Sequence, residues 1–176
     1  MKVLETKLKG CFILEPTVFE DSRGYFFEAF SKRKFEELTG ASSNFVQDNQ
    51  SKSSYGVVRG LHQQVGEYAQ AKLVRVLEGK VLDVAVDVRI DSPTYGEHLT
   101  IELSAENNRQ LYIPRGFLHG FAVLSETATF FYKCDNVYNK ESEDGVHPLD
   151  DTLAVDWQIP LDLIILSEKD REARPF

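Results

Sequence analysis

A period-two alternation of apolar residues through the middle of the chain limits the fold more than any other feature. In Val81–Arg89, Leu82, Val84, Val86 and Val88 fall on one face, with Asp83, Ala85 and Asp87 on the other. Extended chain alternates its side chains between two faces, whereas a helix repeats near 3.6 residues, so this segment reads as a strand. Lys72–Leu77 alternates in the same way, and Glu78-Gly79-Lys80 between the two reads as a hairpin turn. His98–Leu103 repeats the pattern through Leu99, Ile101 and Leu103. Leu111–Ile113, Leu118–Leu124 and Thr127–Cys134 are further strands, set off by Ala105–Arg109, Pro114-Arg115-Gly116 and Ser125-Glu126. Many short strands joined by short polar turns predict an all-β sandwich or barrel rather than βαβ units.

Two helices are predicted at the periphery. Ser31 can N-cap SKRKFEELTG, with Phe30 and Phe35 at hydrophobic-staple spacing and Gly40 past the end. Ser167 with Asp170 makes a capping box for a short charged helix near the C-terminus. The length of 176 residues suits one domain, residues 1–176, that buries its own core without a disulfide or metal staple. No apolar run approaches the ~18 residues of a spanning helix. The opening MKVLETKLKG lacks the apolar stretch of a signal peptide. Cys11 and Cys134 show no metal-ligand spacing and read as free thiols, which places the chain in the cytoplasm.

The formal net charge of −8 disfavours duplex nucleic acid and anionic membranes as partners, because both need a basic face. A small anion remains compatible where a few cations converge, since charge beyond roughly 8 Å is screened at physiological salt. The strands carry an unusual polar set: Gln47, Asn49, Arg59, His62, Lys72, His119 and Tyr132. Barrel interiors are normally filled by Val, Ile and Leu, so these residues pointing inward together would make a pocket. Taken singly, Lys72 also reads as a solvated strand lysine, Tyr132 as a half-buried core tyrosine and His119 as a structural histidine. Arg59 and His62 are three apart and fall on opposite faces of a regular strand; a bulge at Gly60 would bring them together.

In PRGFLH, Pro114, Gly116 and His119 stand at the spacing of the second cupin motif, a jelly-roll signature. The first cupin motif needs two histidines one residue apart, and here His62 is followed by Gln63 and Gln64. A facial triad of two histidines and a carboxylate is hard to assemble from four histidines so placed, which argues against a catalytic metal.

DSRGYFFEAF (Asp21 to Phe30), QDNQSKSSYGVVRGLH (Gln47 to His62), QAKLVRVLEGKVLDVAVDVRIDSPTYG (Gln70 to Gly96), IPRGFLHGF (Ile113 to Phe121) and SEKD (Ser167 to Asp170) follow one another in order. Through them the chain resembles the dTDP-4-dehydrorhamnose 3,5-epimerases, cupin-type jelly-roll enzymes that need no metal or other cofactor. The resemblance implies a homodimer acting on a nucleotide sugar by moving protons on carbons 3 and 5 beside a carbon 4 ketone. It assigns His62 as the base, Asp170 as its partner, Tyr132 as the acid and Lys72 as the cation beside the ketone oxygen, with His119 in the same site. It assigns Arg23, Arg59 and Lys169 to the diphosphate, and Glu28, Gln47 and Asn49 to thymidine and sugar. Phe26, Tyr138 and Glu143 are placed at the ligand cleft, with Arg23, Phe26 and Glu28 serving the neighbouring subunit. Proton abstraction beside a ketone needs a base, an acid on the opposite face and a charge that stabilises the enolate, and these residue types suit the roles. Two positions depart from the family: Gln63 replaces an aromatic residue, and Val146-His147-Pro148-Leu149 stands where a tryptophan is usual. Both leave open whether one carbon or two are epimerised. A non-catalytic nucleotide-sugar-binding cupin and a metal-dependent cupin oxygenase are the competing readings.

Overall fold

In the computed structural model, which describes residues 1–42 and 44–176, the alternating segments become strands of two facing sheets. The first comprises β1 (Lys2–Glu5), β2 (Phe12–Glu15), β10 (Gln110–Ile113), β7 (Lys72–Glu78), β12 (Thr127–Cys134) and β5 (Gln47–Ser54), in that spatial order. The second comprises β13 (Glu143–Gly145), β6 (Val58–Gln64), β11 (Phe117–Val123), β8 (Lys80–Asp87) and β9 (His98–Ser104). β3 (Phe19–Asp21) and β4 (Gly24–Phe26) form a separate hairpin. From β5 to β12 every connection except that between β8 and β9 carries the chain from one sheet to the other, the jelly-roll pattern expected of a cupin.

Glu78-Gly79-Lys80 is therefore not a hairpin turn. β7 pairs with β10 and β12 while β8 pairs with β9 and β11, so the chain switches sheets at Gly79. Alternation reports that both segments are extended and says nothing of which neighbour each will pair with.

Three apolar clusters explain why both faces of β8 are buried. Val81 and Ala85 point between the sheets, against Val74 and Val76 of β7, Leu111 and Ile113 of β10, and Phe130 of β12. Leu82, Val84 and Val86 point the other way, onto Val146, Leu153, Trp157 and Ile159 of the C-terminal segment. On the far face of the first sheet, Leu14, Leu73 and Tyr112 are covered by Phe35 of α1 (Lys32–Thr39). Burying a side chain like Phe35 contributes about 1.5–3 kcal/mol. Ser31 caps α1 by accepting the Lys34 N–H, and Gly40 closes it in the left-handed region at φ 68°. A four-residue helix, α2 (Glu168–Arg171), follows the Ser167 cap. Among the described residues, no helix is long and apolar enough to cross a membrane.

Gly60 carries the bulge. His62 pairs with His119 and Arg59 with Phe121, so two residues of β6 oppose the single Gly120 of β11. Gly60 takes φ +122°, and a Cβ there would meet Gly120 Cα at 2.6 Å, so only glycine lets the two strands approach this closely.

Candidate active site

The two sheets part at one end around a pocket of about 420 Å³. β5, β7 and β12 line it from one sheet, β6 and β11 from the other, and the segment Ile165–Asp170 borders it. Six of the residues singled out in the sequence meet there: Arg59, His62, Lys72, His119, Tyr132 and Asp170. The Gly60 bulge brings Arg59 and His62 to the same opening.

His62 Nε2 lies 2.5 Å from Asp170 Oδ1. Asp170 is 3% exposed, and burial alone would raise its pKa; the His62 hydrogen bond and charge, with help from Ser167 and Lys169, hold it below the ordinary carboxylate range instead. The carboxylate is thus ionised and can only accept. Nε2 must donate to it, leaving Nδ1 as the basic nitrogen. Asp170 keeps its place in the cap through its main chain: its N–H donates to Ser167 Oγ at 3.1 Å while the carboxylate turns to His62.

Lys72 begins β7, with its ammonium 5.9 Å from the centre of the Tyr132 ring. Burial lowers its pKa, countered by Cys134, Asp83 and Glu143. A cation that is costly to hold in an empty pocket gains most when an oxyanion arrives beside it. The Tyr132 phenol is pushed up by burial and by Cys134, against a smaller pull from Arg59 and Asn49, so it is neutral at pH 7 and able to donate a proton. His119 is buried, its pKa lowered by desolvation, with Nε2 3.0 Å from Asp83 Oδ2.

The remaining assigned residues divide into two groups. Arg59 is held by its Nε donating to Ser53 Oγ at 3.1 Å. Gln47 Nε2 donates to Asn49 Oδ1 at 3.1 Å, its Oε1 accepts the Tyr138 N–H at 3.0 Å, and Asn49 stands opposite Tyr132 in the ladder. Tyr138 is exposed, and Lys169 pairs with Glu143 at 2.6 Å. That exposed pair can release Lys169 to another anion at small cost, because such contacts are worth only about 0–1 kcal/mol. Arg23, Phe26 and Glu28 lie elsewhere. Arg23 pairs with Asp21 at 2.6 Å on the β3–β4 hairpin, Phe26 is 70% exposed, and Glu28 pairs with Lys34 at 2.8 Å. None of these three lines the pocket of its own chain, nor do Gln47, Asn49, Tyr138, Glu143 and Lys169.

Asp83 and Ser53 were not singled out in the sequence, although Asp83 stands in β8 between Leu82 and Val84, on the face it shares with Ala85. A carboxylate on a core-facing position needs a partner, which was the available signal. Ser53 lies in the polar run Gln47–Ser54, where nothing distinguishes it. Of the two departures, Gln63 donates to Asp144 Oδ2 at 3.0 Å. Val146 enters the core beside Trp157, whose indole N–H donates to the Pro148 carbonyl at 2.7 Å. Among the described residues, no group of three or more His, Cys, Asp or Glu side chains is arranged to hold a metal ion.

The family profile described as dTDP-4-dehydrorhamnose 3,5-epimerase matches residues 5–176. The enzyme of that name from Shigella flexneri is 49% identical over 176 residues, which cover 100% of this chain and 96% of that one. The crystal structure of dTDP-4-dehydrorhamnose 3,5-epimerase from Elizabethkingia anophelis NUHP1 superposes with a TM-score of 0.97 at 63% identity, covering 100% of this chain and 96% of that one. The dTDP-6-deoxy-D-glucose-3,5-epimerase of Legionella pneumophila Philadelphia 1, solved with dTDP-4-keto-L-rhamnose, superposes with a TM-score of 0.95 at 48% identity, covering 99% and 92%.

Proposed function

The chain belongs to the dTDP-4-dehydrorhamnose 3,5-epimerase family, and on that premise we propose how its pocket inverts carbons 3 and 5 of a dTDP-4-keto-6-deoxyhexose. It is an isomerase. Base and acid stand in opposing sheets: His62 on β6 of one and Tyr132 on β12 of the other, with the pocket between them. That opposition carries the reading, because a sugar ring held between the sheets meets a base on one face and a proton donor on the other.

His62 Nδ1 removes the proton from the carbon next to the ketone, and the electron pair moves onto the carbon 4 oxygen. Lys72 stabilises the resulting enolate, and Asp170 stabilises the imidazolium that forms. Tyr132 then delivers a proton to the opposite face, which inverts the carbon. Arg59 and Lys169 bind the diphosphate, an anion suited to guanidinium and ammonium groups. Gln47, Asn49, Tyr138 and Glu143 hold the nucleoside end, and His119, paired with Asp83, supports the pocket floor. Arg23, Phe26 and Glu28 lie exposed on or beside the β3–β4 hairpin and complete the site of the second subunit in a homodimer. We infer a cytoplasmic enzyme, a reading supported by its nucleotide-sugar substrate and by the free thiols Cys11 and Cys134.

Incubation with dTDP-4-keto-6-deoxyglucose in deuterated water, followed by proton NMR, tests the assignment. The wild type should place deuterium on carbons 3 and 5, and His62→Ala should slow incorporation by ~100-fold or more. Incorporation by the variant within ~3-fold of wild type would remove His62 from the role of base.

A further inference from the structure

β13 is only three residues long, yet every one of its positions meets the support of the His62–Asp170 pair. Gly145 stands opposite His62 in the ladder, and a Cβ on it would lie 3.2 Å from His62 Cδ2 and 2.9 Å from the Leu61 carbonyl oxygen. Glu143 takes Lys169, the residue before Asp170. Asp144 lies between them. Its Oδ2 accepts Gln63 Nε2 at 3.0 Å, and both its oxygens accept from one terminal nitrogen of Arg174 at 3.1 Å. Gln63 directly follows His62 on β6, and Arg174 lies just past the end of α2, in the chain that follows Asp170.

We propose that Asp144 is a positioning residue for proton abstraction, its carboxylate fastening the strand that carries His62 to the segment that carries Asp170. The inference rests on the reading of His62 as the base. α2 is a single turn, far below the ~12 residues at which an isolated helix persists, so its placement comes from what holds its flanks. His147 N–H donates to the Arg174 carbonyl at 2.8 Å, and this main-chain bond ties the same two regions without reaching β6. The flank before α2 is already held to β6 by the main chain, Val58 N–H donating to the Ile165 carbonyl at 3.0 Å; Asp144 reaches β6 from the flank after it. Its side chain is 27% exposed and holds two donors at once, which makes it stiffer than a free surface pair. Without it, the Gln63 amide and the Arg174 guanidinium lose their shared acceptor, and the end of β6 beside His62 can shift relative to the chain that follows Asp170. Proton transfer tolerates little of this: a displacement of about 1 Å can cost ~100-fold.

The test is a double-mutant cycle read as turnover, KM and thermal midpoint. Asp144→Ala should lower kcat by ~10-fold, with KM for the ketosugar within ~2-fold of wild type. In an Asp170→Ala background the same substitution should cost less than ~2-fold, because His62 then has no partner on that segment whose placement can be lost. Arg174→Met, at a side chain 58% exposed, should reproduce both results and serves if Asp144→Ala folds poorly. An equal loss in both backgrounds, or a lowered thermal midpoint with kcat unchanged, would overturn the proposal. His62→Ala, run alongside, separates the two levels. If it keeps its turnover, the base assignment fails. If it is inactive while Asp144→Ala and Arg174→Met turn over normally, only the positioning role fails.

Discussion

Asp170→Asn isolates what a negative charge does for His62. The residue is 3% exposed, its Oδ1 lies 2.5 Å from His62 Nε2, and asparagine has nearly the same shape. The Ser167 cap survives, because it takes the main-chain N–H of residue 170. The substitution removes the charge that stabilises the imidazolium once His62 has taken the substrate proton. Hydrogen bonds to charged groups contribute about 1.5–3 kcal/mol. At about 1.4 kcal/mol per decade this is a ~10- to 150-fold loss of rate. The His62 side chain is 35% exposed, so water screens part of the interaction and the lower part of the range applies, roughly 10- to 40-fold. The loss should appear in kcat and leave KM nearly unchanged, since Asp170 acts on the imidazolium and not on the ground-state sugar. Initial rates of deuterium incorporation at saturating ketosugar measure it. A kcat within ~3-fold of wild type would refute the charge argument, and a loss confined to KM would make Asp170 a binding group.

Tyr132→Phe keeps the ring on the pocket face and removes the proton donor. The variant should bind dTDP and still exchange the carbon 5 proton with solvent, but return the carbon with retained configuration; NMR of the recovered sugar showing full inversion would hand the acid's role to another group. Asp87 lies buried, and its carboxyl is held well below the ordinary range: burial would raise it, but bonds from Arg89, Ser92 and Thr94 outweigh that. A depressed carboxyl contributes stability that is complete above its unfolded value near ~4 and is lost as pH falls through the lower folded value. Asp87→Asn should therefore melt earlier at pH 7 and show a shallower fall in melting temperature below about pH 4; parallel curves for variant and wild type would refute the linkage.

The strands were legible where one side-chain face is uniformly apolar. Thr127–Cys134 is the observed β12, and the α1 caps at Ser31 and Gly40 stand where local chemistry placed them. β5 is different. QDNQSKSS has no apolar alternation; as an edge strand it gains its extended form from pairing with β12, a tertiary contact that no local pattern announces. The same limit explains Gly79, where extended segments were visible but their partners were not. In the site, the Gly60 bulge could be inferred because two functional side chains had to share a face. The Asp83–His119 pair joins residues 36 positions apart on neighbouring strands, and only the register of β8 against β11 brings them together. Arg23, Phe26 and Glu28 were assigned to the neighbouring subunit's site by likeness to a family alone, and within one chain they stay apart from the pocket.

The partners of the His62–Asp170 hydrogen bond are separated by 108 positions. Both sheets are complete once β13 ends at Gly145, and Val146, Leu153, Trp157 and Ile159 then cover the outer face of the second. Every strand and all of that cover thus precede α2 in the chain. The pocket's lysine, tyrosine and imidazole come with the barrel, whereas the carboxylate that holds the imidazole in register comes from outside it, so the fold and the chemistry are carried by separable stretches of sequence.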